Sequence, residues 1–137
     1  WAGTGENGSF GVRSIFEDKE GKFWLSNCVS RFGQDPASPL AGEPARYAKE
    51  PGIATDADPY SVFMSTVRGK DGALWMATLR GVFRYDGAKW THFAVTHDGK
   101  PIWIYSIYRD LQDRLWLGTQ EHRVYRFDGE AFERVKL

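Results

Sequence analysis

The sequence has almost no cysteine, no excess of either charge and no long apolar run. Its 137 residues contain one cysteine, Cys28, which excludes an internal disulfide framework. Eighteen Lys and Arg balance eighteen Asp and Glu without clustering, which argues against a nucleic-acid surface and a polybasic membrane patch. No stretch reaches the roughly 18 apolar residues of a membrane helix, so we expect no direct membrane insertion. The length fits one domain.

Aromatic residues are abundant instead. Six Trp, six Tyr and nine Phe favour β-strands and can fill large spaces between sheets. No segment has convincing helical periodicity, and Gly and Pro fall at predicted turns. The composition therefore predicts an all-β chain.

One pattern of eleven residues occurs three times. It begins with Ser, ends with Trp and reads SIFEDKEGKFW, STVRGKDGALW and SIYRDLQDRLW, the last residues being Trp24, Trp75 and Trp116. The Trp residues that end the three copies are separated by 51 and 41 positions. A period near forty is typical of stacked repeat architectures.

Each repeat predicts four antiparallel strands joined by short turns. The first strand is β-branched and aromatic, as in VFMSTV and WIYSIY, and the second contains the Trp, as in LWMAT and LWLGT. GVFRYDG and RVYRFDG form the third strand, and their Asp86-Gly87 and Asp128-Gly129 pairs indicate hairpin turns. KWTHFAV and AFERVKL form the fourth.

The turn before each Trp strand has its own signals. Gly21 and Gly72 occupy a position where a positive φ is expected, and Asp113 replaces them in the third repeat. Asp18 and Asp110 are predicted to cap this turn through side-chain to backbone hydrogen bonds.

The first repeat is longer than the second because of PASPLAGEPA. Phe32 follows Trp24 by eight residues, as Phe83 follows Trp75, so the extra residues lie between the third and fourth strands. A plain loop is the simpler interpretation, and a ligand-capping insertion is the alternative.

Four-stranded, aromatic-rich units of this length indicate β-propeller blades. We expect residues 1–137 to form a single propeller segment with blades at approximately 10–50, 60–95 and 101–137. Residues 1–9 are a lead-in or the remnant of a preceding blade. Three blades do not close a ring, because closed propellers have about four to eight. The chain is therefore a partial propeller, its missing remainder belonging to a longer protein, or copies of it assemble into a ring or stack.

The repeats resemble the two-component regulator propeller family. The family pattern is an apolar strand, Asp-x-x-Gly, an apolar residue, Trp, an apolar residue, Gly-Thr, and then Gly-apolar-aromatic-Arg-aromatic-Asp. The second and third copies match it well, whereas the first has Ser26-Asn27 in place of Gly-Thr. The resemblance implies a bacterial extracytoplasmic sensor, periplasmic or extracellular, that often responds to oligosaccharides.

No motif in the sequence requires an enzyme, a cofactor or a metal. GTGENG at 3–8 mimics a phosphate loop but precedes a predicted strand rather than a helix. His92, His97, His122 and Cys28 share no metal-ligand spacing, and TDAD at 55–58 lacks the rest of a calcium loop. We therefore predict a non-catalytic protein.

Propeller function is expected at the channel mouth, where the loops between second and third strands meet the loops between blades. Aromatic rings beside Arg, Gln and Asp there suit a sugar ring. The candidate ligand-binding residues are Asn27, Arg31, Asp58, Tyr60, Arg80, His97, Lys100, Trp103, Gln120, Glu121 and His122.

The leading hypothesis is a sensor module for a small molecule or oligosaccharide. A self-assembling structural protein is the alternative, motivated by open blade faces and strand edges. A propeller lyase or glycosidase has support from fold analogy alone.

Overall fold

The computed structural model describes residues 14–19, 21, 23–26, 31–34, 47–49, 63–121 and 123–136. Within these residues the secondary structure is entirely β, and no helix is present that could cross a membrane. The strands are β1 (Ser14–Glu17), β2 (Phe23–Ser26), β3 (Arg31–Gln34), β4 (Tyr47–Lys49), β5 (Phe63–Arg68), β6 (Leu74–Thr78), β7 (Gly81–Tyr85), β8 (Trp90–Phe93), β9 (Thr96–His97), β10 (Lys100–Pro101), β11 (Ile104–Arg109), β12 (Leu115–Thr119), β13 (Val124–Phe127) and β14 (Phe132–Arg134).

Three four-stranded antiparallel sheets form, each in sequence order, as the repeats predict. We name them the first blade (β1–β4), the second blade (β5–β8) and the third blade (β11–β14). Phe32 pairs with Leu25, and Phe83 pairs with Met76, so the alignment of the third strands is confirmed. The residues of PASPLAGEPA fall between β3 and β4 and lie outside the described residues.

The turns before the Trp strands have the predicted backbone, and the capping predicted for Asp110 is confirmed, because its Oδ1 accepts hydrogen bonds from the amides of Gln112 and Arg114, both at 2.9 Å. The φ angles of Gly21, Gly72 and Asp113 are 77°, 82° and 63°. Such angles are easy for glycine and tolerated by aspartate. At the turn between third and fourth strands, Asp86 Oδ1 accepts hydrogen bonds from the amides of Ala88 and Lys89 at 3.0 and 2.9 Å. Asp128 plays the same part in the third blade.

Two of the repeated tryptophans, Trp24 and Trp75, are wedges between neighbouring blades. The ring of Trp24 meets that of Tyr85 in the second blade at 5.9 Å between centroids. Trp75 meets Phe127 at 5.0 Å and Phe132 at 6.2 Å in the third blade. Tyr85 and Phe127 occupy equivalent positions in the GVFRY and RVYRF words, so the first two indoles have equivalent surroundings.

An aspartate fixes two of the three indoles, a contact that the sequence alone did not show. Trp24 Nε1 donates to Asp18 Oδ2, and Trp116 Nε1 donates to Asp110 Oδ2, both at 2.8 Å. The second blade has Gly69 at this position. A Cβ on Gly69 would lie 2.7 Å from the indole nitrogen of Trp75, so glycine is required for that indole's position.

The outer sheet faces of the first and third blades carry exposed apolar side chains. Ile15 and Phe23 on the first blade are 66% and 40% exposed. On the third blade, Tyr108 is 62% exposed and Trp116 is half-buried. Among the described residues, no sheet packs on either face.

The connection between the second and third blades differs from the prediction. β8 ends at Phe93 rather than continuing to Val95, and a short hairpin of β9 and β10 follows. Its turn residues, Asp98 and Gly99, have φ angles of 51° and 73°. An Asp-Gly pair between two strands favours this turn type, so the segment HDGK could have predicted the hairpin.

Candidate functional site

The turn between β12 and β13 meets the segment that leads into β11. The backbone N–H of Gln120 donates to the carbonyl oxygen of Trp103 at 3.1 Å. The turn itself is closed by Thr119, whose Oγ1 donates to the carbonyl oxygen of Arg123 at 2.8 Å. These two segments were predicted to converge at the mouth, and in the third blade they do.

A cavity of about 140 Å³ lies between these segments. Pockets for whole drug-sized ligands are larger, roughly 300–1,000 Å³, so this one can hold a single ring or substituent of a larger ligand. Trp103 is 43% exposed at its rim. The lining residues are Pro101, Ile102, Trp103, Thr119, Gln120, Glu121 and Arg123.

The polar groups of the cavity offer both charges and an amide. Arg123 Nη2 lies 3.4 Å from Glu121 Oε2, and the two side chains are 25% and 72% exposed. An ion pair this exposed is weak, so a ligand can displace or bridge it at little cost. Beside it stand the amide of Gln120 and the indole of Trp103. An apolar ring face and several hydrogen-bonding groups can thus contact one ligand group together.

Arg123 is a lining residue that the sequence prediction missed. It occupies the position that Gly81 has in the second blade, as the alignment of LRGVF (79–83) with EHRVY (121–125) shows. At Gly81, φ is 134°, and a Cβ would collide with the carbonyl oxygen of Phe93 and lie 2.8 Å from His92 Nε2. The third blade carries a side chain where the second cannot. This departure from the repeat could have identified Arg123 as a candidate from the sequence.

Three further candidates lie on neighbouring segments. His97 and Lys100 pair across the β9–β10 hairpin, next to Pro101 of the cavity wall. His97 Nε2 lies 3.4 Å from Asp98 Oδ2. Arg80 is exposed on the turn between β6 and β7, at the same end of the second blade. The structure therefore brings together Trp103, Gln120 and Glu121, with the hairpin beside them and Arg80 one blade away.

The remaining candidates belong to parts of the chain about which less is described. Arg31 begins β3 in the first blade, where the backbone alone is described. Four candidates lie outside the described residues: Asn27, Asp58, Tyr60 and His122.

A larger groove of about 600 Å³ lies at the opposite end of the second and third blades. Its carboxylates already have partners. Burial raises the pKa of Asp71, but the hydrogen bond and charge of Arg84 outweigh this and leave the pKa below its ordinary value. The amides of Ala131 and Glu130 likewise lower the pKa of Asp128. The small cavity, with an exposed indole and an exposed ion pair, is the better candidate site.

A metal centre finds no support in the part of the chain that the structure describes. No group of three His, Cys, Asp or Glu side chains there could hold a metal ion.

Solved structures of low sequence identity share this fold. The extracellular domain of a hybrid two-component system protein from B. thetaiotaomicron matches with a TM-score of 0.67, 21% identity, 93% of this chain and 17% of its own. A second such domain from that organism matches at 0.57, 19% identity, 80% of this chain and 14% of its own. Virginiamycin B lyase from Staphylococcus aureus matches at 0.67, 16% identity, 97% of this chain and 43% of its own.

These similarities establish the fold, three consecutive blades of a β-propeller. The chain spans 14% to 17% of the length of the two sensor domains and less than half of the lyase. No protein-family model and no curated protein sequence matches the chain.

Proposed function

We propose that this chain is the ligand-binding part of an extracytoplasmic sensor propeller, in the periplasm or outside the cell. The fold it shares with extracellular domains of two-component system proteins supports this assignment. The observation that carries it is the cavity at the blade mouth, where Trp103 stands beside Gln120, Glu121 and Arg123.

The ligand class that suits this cavity is an oligosaccharide. The exposed face of Trp103 stacks on the C–H face of a sugar ring, and Gln120, Glu121 and Arg123 bond its hydroxyls as acceptors and donors. The volume of about 140 Å³ admits one ring or substituent, so the rest of the ligand extends across the mouth. Arg80 and the β9–β10 hairpin are the described groups in its path.

Binding here links two segments that are far apart in the sequence of the third blade. Trp103 precedes β11, and Gln120 follows β12, and one backbone hydrogen bond of 3.1 Å joins them. A ligand that needs both segments binds the folded blade and not the unfolded chain, so at a concentration one hundred times its Kd it stabilises the fold by about 2.7 kcal/mol. Binding can therefore be detected as a rise in the stability of the blade.

Calorimetric titration against neutral and acidic oligosaccharides tests the proposal. We expect a ligand whose affinity falls about tenfold in Trp103→Ala, because an aromatic contact of this kind contributes roughly 1–2 kcal/mol. Tyr108→Ala is the matched control, since Tyr108 is also an exposed aromatic of the third blade but does not line the cavity. Equal affinities for the two variants would place binding elsewhere, and no binding across the library would defeat the proposal.

A lyase is the second candidate, favoured by the similarity to virginiamycin B lyase. Incubation of the chain with virginiamycin B, followed by mass spectrometry, separates the two functions. We expect the antibiotic to remain intact. Its cleavage would make the chain catalytic and would overturn the sensor assignment.

A further inference from the structure

The indole of Trp75 differs from its two counterparts in the hydrogen bonding of its ring N–H. Trp24 Nε1 and Trp116 Nε1 each donate to a carboxylate oxygen at 2.8 Å, whereas Trp75 Nε1 has no acceptor among the described residues. Trp75 is only 5% exposed. Most buried side-chain polar atoms have a hydrogen-bond partner, so this N–H needs an acceptor that those residues do not supply.

The second blade has its turn carboxylate two positions later than the third blade. In the third blade, Asp110 serves both the turn and the indole, because Oδ1 accepts from backbone amides and Oδ2 accepts from Trp116. In the second blade, Asp71 Oδ1 accepts from the amide of Ala73 at 3.1 Å, but Oδ2 accepts from Arg84 instead of the indole. The turn is therefore complete, and only the indole lacks its carboxylate.

The groove of about 600 Å³ at this end of the two blades is bordered by Trp75. Its volume lies within the roughly 300–1,000 Å³ of small-molecule pockets. Leu115 and Phe127 extend its apolar wall. Gly69 borders the groove next to the indole nitrogen, where a Cβ would lie 2.7 Å away. The groove can therefore accommodate a flat apolar group, with the unpartnered N–H at its edge.

Lys70 supplies a weakly paired positive charge to this groove. Its side chain is 82% exposed, and Nζ lies 4.0 Å from Asp113 Oδ2, while the other oxygen of Asp113 pairs with Arg109 at 3.5 Å. Such an exposed ion pair is weak, so Lys70 can turn to a ligand at little cost. The carboxylates of Asp71 and Asp128 are held by an arginine and by backbone amides.

We propose that this groove binds a small aromatic carboxylate. The carboxylate accepts the hydrogen bond of Trp75 Nε1 and pairs with Lys70, so it plays the part that an aspartate plays in the first and third blades. The ring of the ligand packs on Leu115 and Phe127. The groove lies at the opposite end of the blades from the cavity at Trp103, and this inference does not depend on the function proposed for that cavity.

Calorimetric titration of the chain with phenylacetate and with phenylacetamide tests the proposal. Phenylacetamide keeps the ring and an acceptor oxygen but has no charge, so we expect it to bind about tenfold more weakly. Trp75→Phe removes the N–H and keeps an aromatic ring, and it should weaken phenylacetate binding about tenfold. Lys70→Gln should weaken phenylacetate binding and leave phenylacetamide binding unchanged, which a merely structural role of Lys70 would not produce.

Lys89→Gln is the matched control, because it removes the same charge from an exposed turn of the second blade and does not line the groove. We expect it to bind phenylacetate like the unchanged chain, and circular dichroism confirms that each variant is folded. No binding of phenylacetate would leave water as the acceptor and overturn the proposal. Equal affinity for the acid and the amide would overturn the carboxylate assignment. A loss of phenylacetate binding in Trp103→Ala would place the acid in the other cavity and overturn the groove assignment.

Discussion

Replacing Trp75 should destabilise the protein far more than replacing Trp116, although both end the same eleven-residue word. Trp75 is 5% exposed and contacts Phe93, Phe127 and Phe132, so it belongs to the joint between two blades. Truncating a buried Trp to Ala typically costs about 3–5 kcal/mol, because it removes apolar contacts and leaves a cavity. Trp75→Ala should therefore remove a large fraction of a total near 5–15 kcal/mol.

Among the described residues, Trp116 has contacts within its own blade but none with a neighbouring blade. Its indole keeps the hydrogen bond to Asp110 and the flanking Arg114 and Arg126, but no blade of the described residues covers its outer side. We expect Trp116→Ala to cost roughly 1–2 kcal/mol, less than Trp75→Ala.

Urea unfolding followed by far-ultraviolet circular dichroism measures both costs. Trp75→Phe, which keeps most of the ring, is the companion variant that stays measurable if Trp75→Ala does not fold. Equal costs for Trp75→Ala and Trp116→Ala would refute the wedge interpretation. So would a Trp75→Ala cost below about 1 kcal/mol, since a residue in the joint must lose more.

Three further predictions follow from individual side chains. Partial burial raises the pKa of Asp110, but hydrogen bonds from the Trp116 indole and from Arg114 outweigh it and hold the pKa well below its ordinary value. The ionised Asp110 therefore stabilises the folded protein above about pH 4, and this contribution is lost below it. Asp110→Asn should make the stability fall less steeply between pH 7 and pH 3. An unchanged fall would contradict this. Gly81→Ala should destabilise the protein by more than about 1 kcal/mol in urea unfolding, because φ is 134° and the new Cβ would meet Phe93; Gly87→Ala, with open space around it, is the control and should cost less. Tyr125 is 2% exposed, and its hydroxyl has no hydrogen-bond partner among the described residues. Tyr125→Phe should therefore leave the melting temperature unchanged or raise it. A fall of more than about 1 kcal/mol in the free energy of unfolding would contradict this and reveal a hydrogen-bond partner.

The blade architecture could be predicted from the sequence because it depends on local repetition. The repeated eleven-residue segments determine where strands pair. Gly21, Gly72 and Asp113 have the left-handed backbone that their position in the repeat requires. The alignment of Phe32 with Phe83 predicted the register of the third strands, and the pairing confirms it. Each of these features is decided within a few residues.

The candidate site and the hydrogen bonds of the indoles were harder to predict from the sequence, because they depend on contacts between segments. Nothing in the local pattern shows that Asp18 and Asp110 bond an indole six residues later. Arg123 joins the cavity because the β12–β13 turn places it near Trp103, and the repeat reveals only that a side chain has replaced Gly81 there. Departures from a repeat, rather than its shared positions, are the residues to inspect for a binding site.

The indole anchors have a spectroscopic consequence. The ring N–H of Trp24 and of Trp116 donates to a carboxylate, whereas the indole nitrogen of Trp75 lies beside Gly69, where a Cβ would be 2.7 Å away. Of the six indole N–H signals in a nitrogen–proton correlation spectrum, those of Trp24 and Trp116 should therefore be deshielded, and that of Trp75 should differ from both. Each would serve as a probe of its own blade, so loosening of one joint could be watched while the others stay intact.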